Sequence, residues 1–230
     1  MDTANVNTAS TNTANPNTTD ANTAKANTAK TTTARVNTTK RFDTRKLVLL
    51  AILTAIVIVL QSLAAVLPVY PFTLTLVLIP MVVGAALVNT LAGGWLGLVF
   101  GLVVLLTGNA NAFLAVNPAG TIVVVILKGA LAGLAAGAIY KPLAKKNRTI
   151  ATIAAAVASP VVNTGIFIIG SYIFFLPTIT AWGEAAGFSN ATAYIFLSLV
   201  SFNFLIELGL NLVLSPSIVR LVQYGRSRRN

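Results

Sequence analysis

The sequence predicts an all-α membrane protein, a bundle of six transmembrane helices preceded by a disordered N-terminal tail. Of its 230 residues, 56% are hydrophobic and only 9% are charged, against about 25% charged in typical soluble domains. The hydrophobic residues form six long runs, and nearly all charged residues lie between these runs. The chain contains no cysteine and no histidine, which removes the usual metal ligands, thiol nucleophiles and histidine bases. We therefore expect neither an enzyme nor a bound cofactor.

Residues 1–40 differ in composition from the rest of the chain. They consist mainly of Asn, Thr and Ala, in a degenerate Asn-Thr-Ala repeat. A segment with so little apolar surface cannot offset the entropy of ordering, so we expect it to be disordered. It is either a tether or a dispensable expanded repeat. The predicted domains are this tail, the six-helix region 41–224 and a short basic cytoplasmic tail, 225–230.

The helices are predicted from the length of the apolar runs. About 20 apolar residues are needed to cross the hydrocarbon core of a bilayer, and most of the runs reach this length. The second and third are the short ones, and only Asn89 and Thr90 separate them, which predicts a compact helical hairpin. The predicted spans are 46–67, 72–88, 91–107, 119–140, 149–176 and 191–221.

The basic residues predict the orientation. Four Lys or Arg residues lie at each of three places: residues 40–46 at the start of the first span, residues 141–148 between the fourth and fifth spans, and residues 220–229 at the end of the sixth span and beyond it. The three connections on the other side, 68–71, 108–118 and 177–190, carry none. Under the positive-inside rule, both termini lie in the cytoplasm of a plasma-membrane protein. The net charge of +11 is thus explained by topology and some affinity for anionic lipid, and we expect no nucleic-acid partner.

Two charged residues lie inside predicted spans, Lys128 and Glu207. A charge at the bilayer centre costs about 2.5–3.5 kcal/mol on insertion scales, so each must face protein, water or ligand. Lys128 precedes Lys141 by 13 residues and Glu207 precedes Arg220 by 13 residues, which places both roughly 20 Å from the inner charge layer. Either they pair and brace the bundle, or they line an outward-facing pocket in which Lys128 holds an anionic ligand group.

Further polar residues are predicted near this depth. Asn203, Glu207 and Asn211 are spaced by four residues and form one stripe on the sixth helix. Asn163 follows Pro160 in the fifth span, and Gln61 lies in the first. A single amide in a membrane helix usually joins helices, but several at one depth favour a binding site. The outward connections add aromatic residues, which either anchor the protein at the interface or contact ligand: Phe113, Tyr172, Phe174, Phe175, Trp182 and Tyr194.

Small residues recur at a spacing of four. Glycines at 93, 97 and 101 and at 129, 133 and 137 allow close helix packing, which we expect to be internal. Ala51 and Ala55 lie in the inner half of the first span. Their position suits contact with a partner on the cytoplasmic side.

These features together resemble the substrate-binding S components of energy-coupling factor (ECF) vitamin transporters. The resemblance covers about residues 41–224 and rests on the order of several weak motifs, the topology and the charge pattern. One departure is Asn89-Thr90, where the family usually has Gly-Pro. The matching pieces are Thr44-Arg45-Lys46-Leu47, Ala51-x-x-x-Ala55, the hairpin from Ile79-Pro80 to Gly101, Asn117-Pro118, and Lys128-Gly129-Ala130-Leu131-Ala132-Gly133-Leu134.

The resemblance implies a function. Such proteins capture one vitamin in an outward-open pocket, dock on a transmembrane coupling subunit through the Ala51 and Ala55 face, and depend on two ATPase subunits. A basic residue at Lys128 and the run Ser159-Pro160-Val161-Val162-Asn163-Thr164-Gly165 are similar to the pantothenate-type members, whose ligand carries a carboxylate. The resemblance adds Asn117 to the candidate ligand-binding residues Lys128, Glu207, Asn163, Asn203 and Gln61.

One other class of function stays open. A stand-alone secondary transporter for a small anionic metabolite would use the two intramembrane charges for proton coupling. The chain has no Gly-x-x-x-x-Gly-Lys phosphate loop, so ATP hydrolysis must reside in partner subunits if ATP drives transport.

Overall fold

The computed structural model describes residues 44–66 and 77–227, apart from the side chains of residues 202, 203 and 225–227. The predicted tail and the basic C-terminal tail fall wholly or largely outside this description. The described residues form helices joined by short turns and belong to one compact unit, Asp43–Asn230. The helices are α1 Thr44–Val66, α2 Leu78–Leu87, α3 Thr90–Leu106, α4 Asn111–Leu114, α5 Pro118–Leu143, α6 Arg148–Phe174, α7 Leu176–Ala185, α8 Ala191–Tyr194, a π-helical segment Ile195–Val200, and α9 Ser201–Ser227.

Four helices are long and apolar enough to cross a membrane. They are α1, α5, α6 and the continuous segment Ala191–Tyr224, with 23, 26, 27 and 34 residues. The helices α2 and α3 are apolar but shorter, with 10 and 17 residues. Residues 72–76, the start of the second predicted span, lie outside the described part of the chain. The all-α membrane class is therefore confirmed, and the count of six spans stays a prediction.

Helix α2 lies at the centre of the bundle. It contacts α1, α3, α5, α6 and α9, and Leu78, Met81 and Val82 are completely buried. Its sequence is apolar on all sides, which suits a helix surrounded by other helices. The long helices, by contrast, expose many large apolar side chains, as expected where the surrounding solvent is lipid.

The glycine series pack α3 against α5, which confirms the expectation of internal packing. A Cβ atom built on Gly97 would overlap the carbonyl oxygen of Gly129, and one on Gly133 would overlap that of Gly93. The two backbones are therefore in direct contact along the series. Only glycine permits this approach, since any side chain would separate the helices.

The hairpin between α2 and α3 forms without the Gly-Pro pair. Asn89 has an extended backbone, and its Oδ1 accepts a hydrogen bond from the Ala92 N–H at 2.7 Å. This N-cap satisfies one of the donors that a helix start leaves open. Asn89 thus starts α3 by capping, and Gly137 of α5 packs directly on the following Thr90.

One segment predicted as a connection is helical. Residues 177–190 were expected to link the last two spans, but most of them form α7. Pro177 lies in the first turn of this helix, where proline is well tolerated because its missing N–H has no intrahelical partner. Helix α7 carries Trp182, whose ring packs against Phe113.

Candidate functional site

Lys128 lies on the inner side of α5 between two aromatic rings. Its Nζ is 6.0 Å from the ring centroid of Phe100 on α3 and 5.5 Å from that of Phe167 on α6. Ammonium groups at this distance from a ring centroid are attracted by the negative face of the ring, by about 0.5–2 kcal/mol. The rings therefore offset part of the cost of holding a charge at this depth.

A cavity of about 80 Å³ adjoins the Lys128 side chain. Ligand pockets usually measure about 300–1,000 Å³, so a vitamin-sized ligand requires this cavity to widen. Its wall combines one cation with apolar and aromatic side chains. The lining residues are Val104, Asn109, Ala110, Phe113, Thr121, Val124, Val125, Lys128, Phe167 and Phe175.

An aromatic cluster closes the cavity on the side away from the basic connection between α5 and α6. Phe113 of α4 stands at its centre, with ring centroids 5.8 Å from Phe167, 5.0 Å from Phe175 and 5.6 Å from Trp182, all edge-on. Edge-on aromatic pairs contribute about 0.5–1.5 kcal/mol beyond their buried area. We call this cluster, formed by Phe113, Phe167, Phe175 and Trp182, the aromatic roof. Three of its members, Phe113, Phe175 and Trp182, are outward aromatic residues predicted from the sequence.

Phe167, the fourth member, was not predicted from the sequence. It lies inside a long apolar run, where a phenylalanine carries no distinguishing signal. Its position four residues after Asn163 places both on one face of α6. That spacing is the one feature from which its role could have been inferred.

Asn163 lies at the depth of Lys128. A short connection joins the antiparallel helices α5 and α6. Lys128 lies 15 residues before Leu143, the last residue of α5. Asn163 lies 15 residues after Arg148, the first residue of α6. Equal rises along the two helices place both residues at the same level.

The same comparison places α9. Gln223 Nε2 donates a hydrogen bond to Thr149 Oγ1 at 3.4 Å, which aligns the two helices. Counting 14 residues from this contact along each helix, forward from Thr149 and backward from Gln223, reaches Asn163 on α6 and Gly209 on α9. Glu207 and Asn211 therefore flank the level of Asn163, and α6 packs directly against α9. The predicted coincidence of depth for Lys128, Asn163 and Glu207 agrees with this register.

Buried polar atoms line the α6 and α9 helices at this level. Asn211 Nδ2 donates to the Glu207 carbonyl oxygen at 2.9 Å, and Ser215 Oγ donates to the Asn211 carbonyl oxygen at 2.6 Å. The atoms Ser159 Oγ, Asn163 Oδ1 and Asn211 Oδ1 are buried without a hydrogen-bond partner among the described residues. A buried polar atom without a partner costs about 1–3 kcal/mol, so these atoms are suited to contact a polar ligand or water.

Glu207 is buried, with 6% of its surface exposed. Its carboxylate attracts the Lys128 ammonium electrostatically. The pairing interpretation requires this attraction, and the ligand-pocket interpretation is compatible with it. Pairing within the bundle and shared contact with a ligand remain the alternatives.

The remaining predicted residues have different surroundings. Gln61 is buried on α1. Trp95 Nε1 donates a hydrogen bond to Thr54 Oγ1 at 3.3 Å, which aligns α1 with α3, and the glycine contacts align α3 with α5. Counting along the aligned helices places Gln61 about 6 Å from the level of Lys128, on the side of the aromatic roof. Asn117 caps α5, its Oδ1 accepting from the Gly120 N–H at 2.9 Å. The side chain of Asn203 lies outside the described part of the chain.

Ala51 and Ala55 are exposed on α1. This helix buries only a narrow stripe, formed by Leu53, Val57 and Gln61. The exposed alanines leave a shallow surface on which another helix could lie closely. The surface is available to lipid or to a partner.

The long apolar helices indicate an integral membrane protein. A family model described as "ECF transporter, substrate-specific component" matches residues 45–219. Because the match spans most of the chain, the protein belongs to this family of transporter subunits, whose members are not enzymes and act on a small-molecule substrate together with ECF modules. No curated protein and no solved structure matched the chain in the corresponding comparisons.

Proposed function

We propose that this protein captures a small carboxylate-bearing vitamin, with pantothenate as the best candidate, from outside the cell. In this proposal six helices span the plasma membrane with both termini in the cytoplasm, and the pocket opens on the side of the aromatic roof. The loaded protein docks on a transmembrane coupling subunit, and two ATPase subunits supply the energy. Membership of the S-component family supports this general scheme.

The observation that carries the choice of ligand is the position of Lys128 in the cavity beneath the aromatic roof. A carboxylate placed there forms a charge-assisted hydrogen bond with the ammonium group. The buried acceptors Asn163 Oδ1 and Asn211 Oδ1 lie on the neighbouring helices, outside the wall of this cavity, and would accept hydrogen bonds from the amide and hydroxyl groups of pantothenate once the cavity widens. Widening of the cavity requires Phe113 to move, since its ring contacts every other ring of the roof.

Binding to the purified protein tests this proposal. Isothermal titration with pantothenate should give saturable binding, whereas panthenol, which has an alcohol in place of the carboxylate, should bind at least about 100-fold more weakly because the charged contact is lost. Equal affinity for the two ligands would exclude Lys128 as a carboxylate anchor. Binding of biotin but not pantothenate would keep the anchor and reject pantothenate.

The alternative is a stand-alone secondary transporter of a small anionic metabolite. The electrostatic link between Lys128 and Glu207 favours it, because coupled intramembrane charges are suited to proton relay. Proteoliposomes containing this chain alone distinguish the two. Uptake driven by a pH gradient supports the alternative, and uptake that depends on ATPase subunits supports the S-component function.

Docking on the coupling subunit predicts a variant that separates binding from transport. Ala51→Trp should leave vitamin affinity unchanged but reduce ATP-driven uptake at least about tenfold, because an indole prevents close approach of a partner helix to α1. The matched control is Val213→Trp, at a position on α9 that is 75% exposed. Normal uptake by Ala51→Trp, measured in proteoliposomes with the complete transporter, would show that the partner docks elsewhere.

A further inference from the structure

A larger cavity lies at the opposite end of α5 from the aromatic roof. It measures about 510 Å³ and is formed where the α2–α3 hairpin meets the connection between α5 and α6. Lys141, Lys145 and Arg148 line it, and all three are exposed. Among the described residues that form its wall there is no Asp or Glu. The cavity therefore has a strongly positive wall.

The backbone adds to this positive wall. Helix α3 begins at Thr90, and both Thr90 and Leu91 line the cavity. The first N–H groups of a helix have no acceptor within it, and the helix start carries a partial positive charge. An anion in this cavity therefore meets the positive end of α3, whose Ala92 N–H is already capped by Asn89 Oδ1, together with three cationic side chains.

The two sides are held rigidly with respect to each other. A Cβ atom on Gly137 would lie 2.6 Å from the Thr90 Cα, so the first turn of α3 rests directly on α5. Lys141 follows Gly137 by one helical turn on the same face. The helix start and the Lys141 backbone thus have a defined separation, which preorganises the site.

The rest of the wall is apolar. Ala85, Ala86, Val88 and Leu91 all line the cavity, and Leu91 is 74% exposed at the start of α3. A free phosphate ion or a sugar phosphate gains nothing from these side chains. A molecule in which a phosphate is attached to hydrocarbon matches both halves of the wall.

We propose that this cavity binds the headgroup of an anionic phospholipid. The phosphate contacts Lys141, Lys145 and Arg148 near the start of α3, and the glycerol and upper acyl chain lie against Val88 and Leu91. A basic pocket between membrane helices on the cytoplasmic side is the expected setting for such recognition. An anionic headgroup is preferred over a zwitterionic one because the wall offers no acidic group for a choline or ethanolamine. This site is separate from the vitamin site and does not depend on the identity of the vitamin.

Native mass spectrometry of the full chain in detergent tests the proposal with defined lipids. The wild type should retain phosphatidylglycerol in preference to phosphatidylcholine, by about tenfold or more. Lys145→Gln combined with Arg148→Gln should lose this preference. The control, Lys146→Gln combined with Arg220→Gln, removes the same number of charges from exposed residues that do not line the cavity, and it should retain the preference.

Two results would overturn the proposal. Equal loss in both double variants would show that surface charge in general, not this cavity, attracts the lipid. Displacement of phosphatidylglycerol by sn-glycerol 3-phosphate at an equal concentration would show that the site recognises a soluble phosphate and not a lipid. The single variant Lys145→Gln, which should bind phosphatidylglycerol with intermediate strength, provides a second measurement if the double variant does not fold.

Discussion

Replacing Lys128 with methionine is expected to abolish high-affinity vitamin binding. Methionine retains most of the length of the side chain but has no charge, so a ligand carboxylate would be buried without a partner. Truncating one member of a buried hydrogen-bonded charge pair costs about 2–5 kcal/mol, which corresponds to a loss in affinity of about 30-fold to several thousand-fold. Isothermal titration of the purified variant with the identified vitamin measures this loss.

Two controls separate ligand contact from folding. Leu127→Met changes the neighbouring residue, which is 45% exposed on the outside of α5, and it should bind as the wild type does. Thermal unfolding of Lys128→Met should show no loss of stability beyond about 2 kcal/mol, since the lost ring contacts are offset by removal of a charge from the membrane. Unchanged affinity in Lys128→Met would contradict the anchoring role and favour a purely structural pair with Glu207.

Gly129→Ala is expected to prevent α3 and α5 from packing. The added Cβ would overlap the carbonyl oxygen of Gly97, which is a backbone atom and cannot rotate away, and it would also lie 3.1 Å from the Phe100 ring. Overpacking of a core usually costs about 1–3 kcal/mol through side-chain adjustment, and separating two backbones exceeds this range. We expect loss of monodisperse protein on size exclusion, or a clear decrease in the melting temperature.

The same substitution at Gly165 provides the matched control. Beyond its chain neighbours and the backbone of its own helix, a Cβ on Gly165 would have no atom within 4 Å, and alanine is more favourable than glycine within a helix by about 0.5–1 kcal/mol. Gly165→Ala should therefore melt at the wild-type temperature or slightly above it. Equal destabilisation by the two variants would show that glycine matters here for reasons other than the contact between α3 and α5.

The level of Lys128 relative to the neighbouring helices was predictable, but its contacts were not. Counting residues from Lys141 gives its depth because every helical residue adds the same rise. Its ring contacts depend on which face of α5 meets α3 and α6. The glycine series marks one face of α5 for close packing, but the sequence does not reveal which helices meet that face, because lipid is as apolar as the protein core. The register of α6 against α9 is likewise not visible in the sequence. The Gln223–Thr149 hydrogen bond establishes it in the tertiary structure.

The basic cavity was not predicted from the sequence, although the residues that form it were noted there. Its three cations were used to predict orientation, and Asn89-Thr90 to predict a tight hairpin. No sequence pattern connects the two segments, which lie about 50 residues apart and meet only because Gly137 packs on Thr90.

The sequence by itself therefore determined the all-α membrane class, the positions of the long helices and the relative levels of Lys128 and Glu207 along them. These properties follow from composition and a constant rise per residue, both of which are local. Only the tertiary structure decided that Phe100 and Phe167 flank Lys128 and that Phe113 closes the aromatic roof. It also showed that α7 forms where a connection was expected, and that two distant segments make a positive cavity. Those contacts depend on how each helix is rotated about its own axis, which hydrophobic patterning cannot specify when lipid and core are equally apolar.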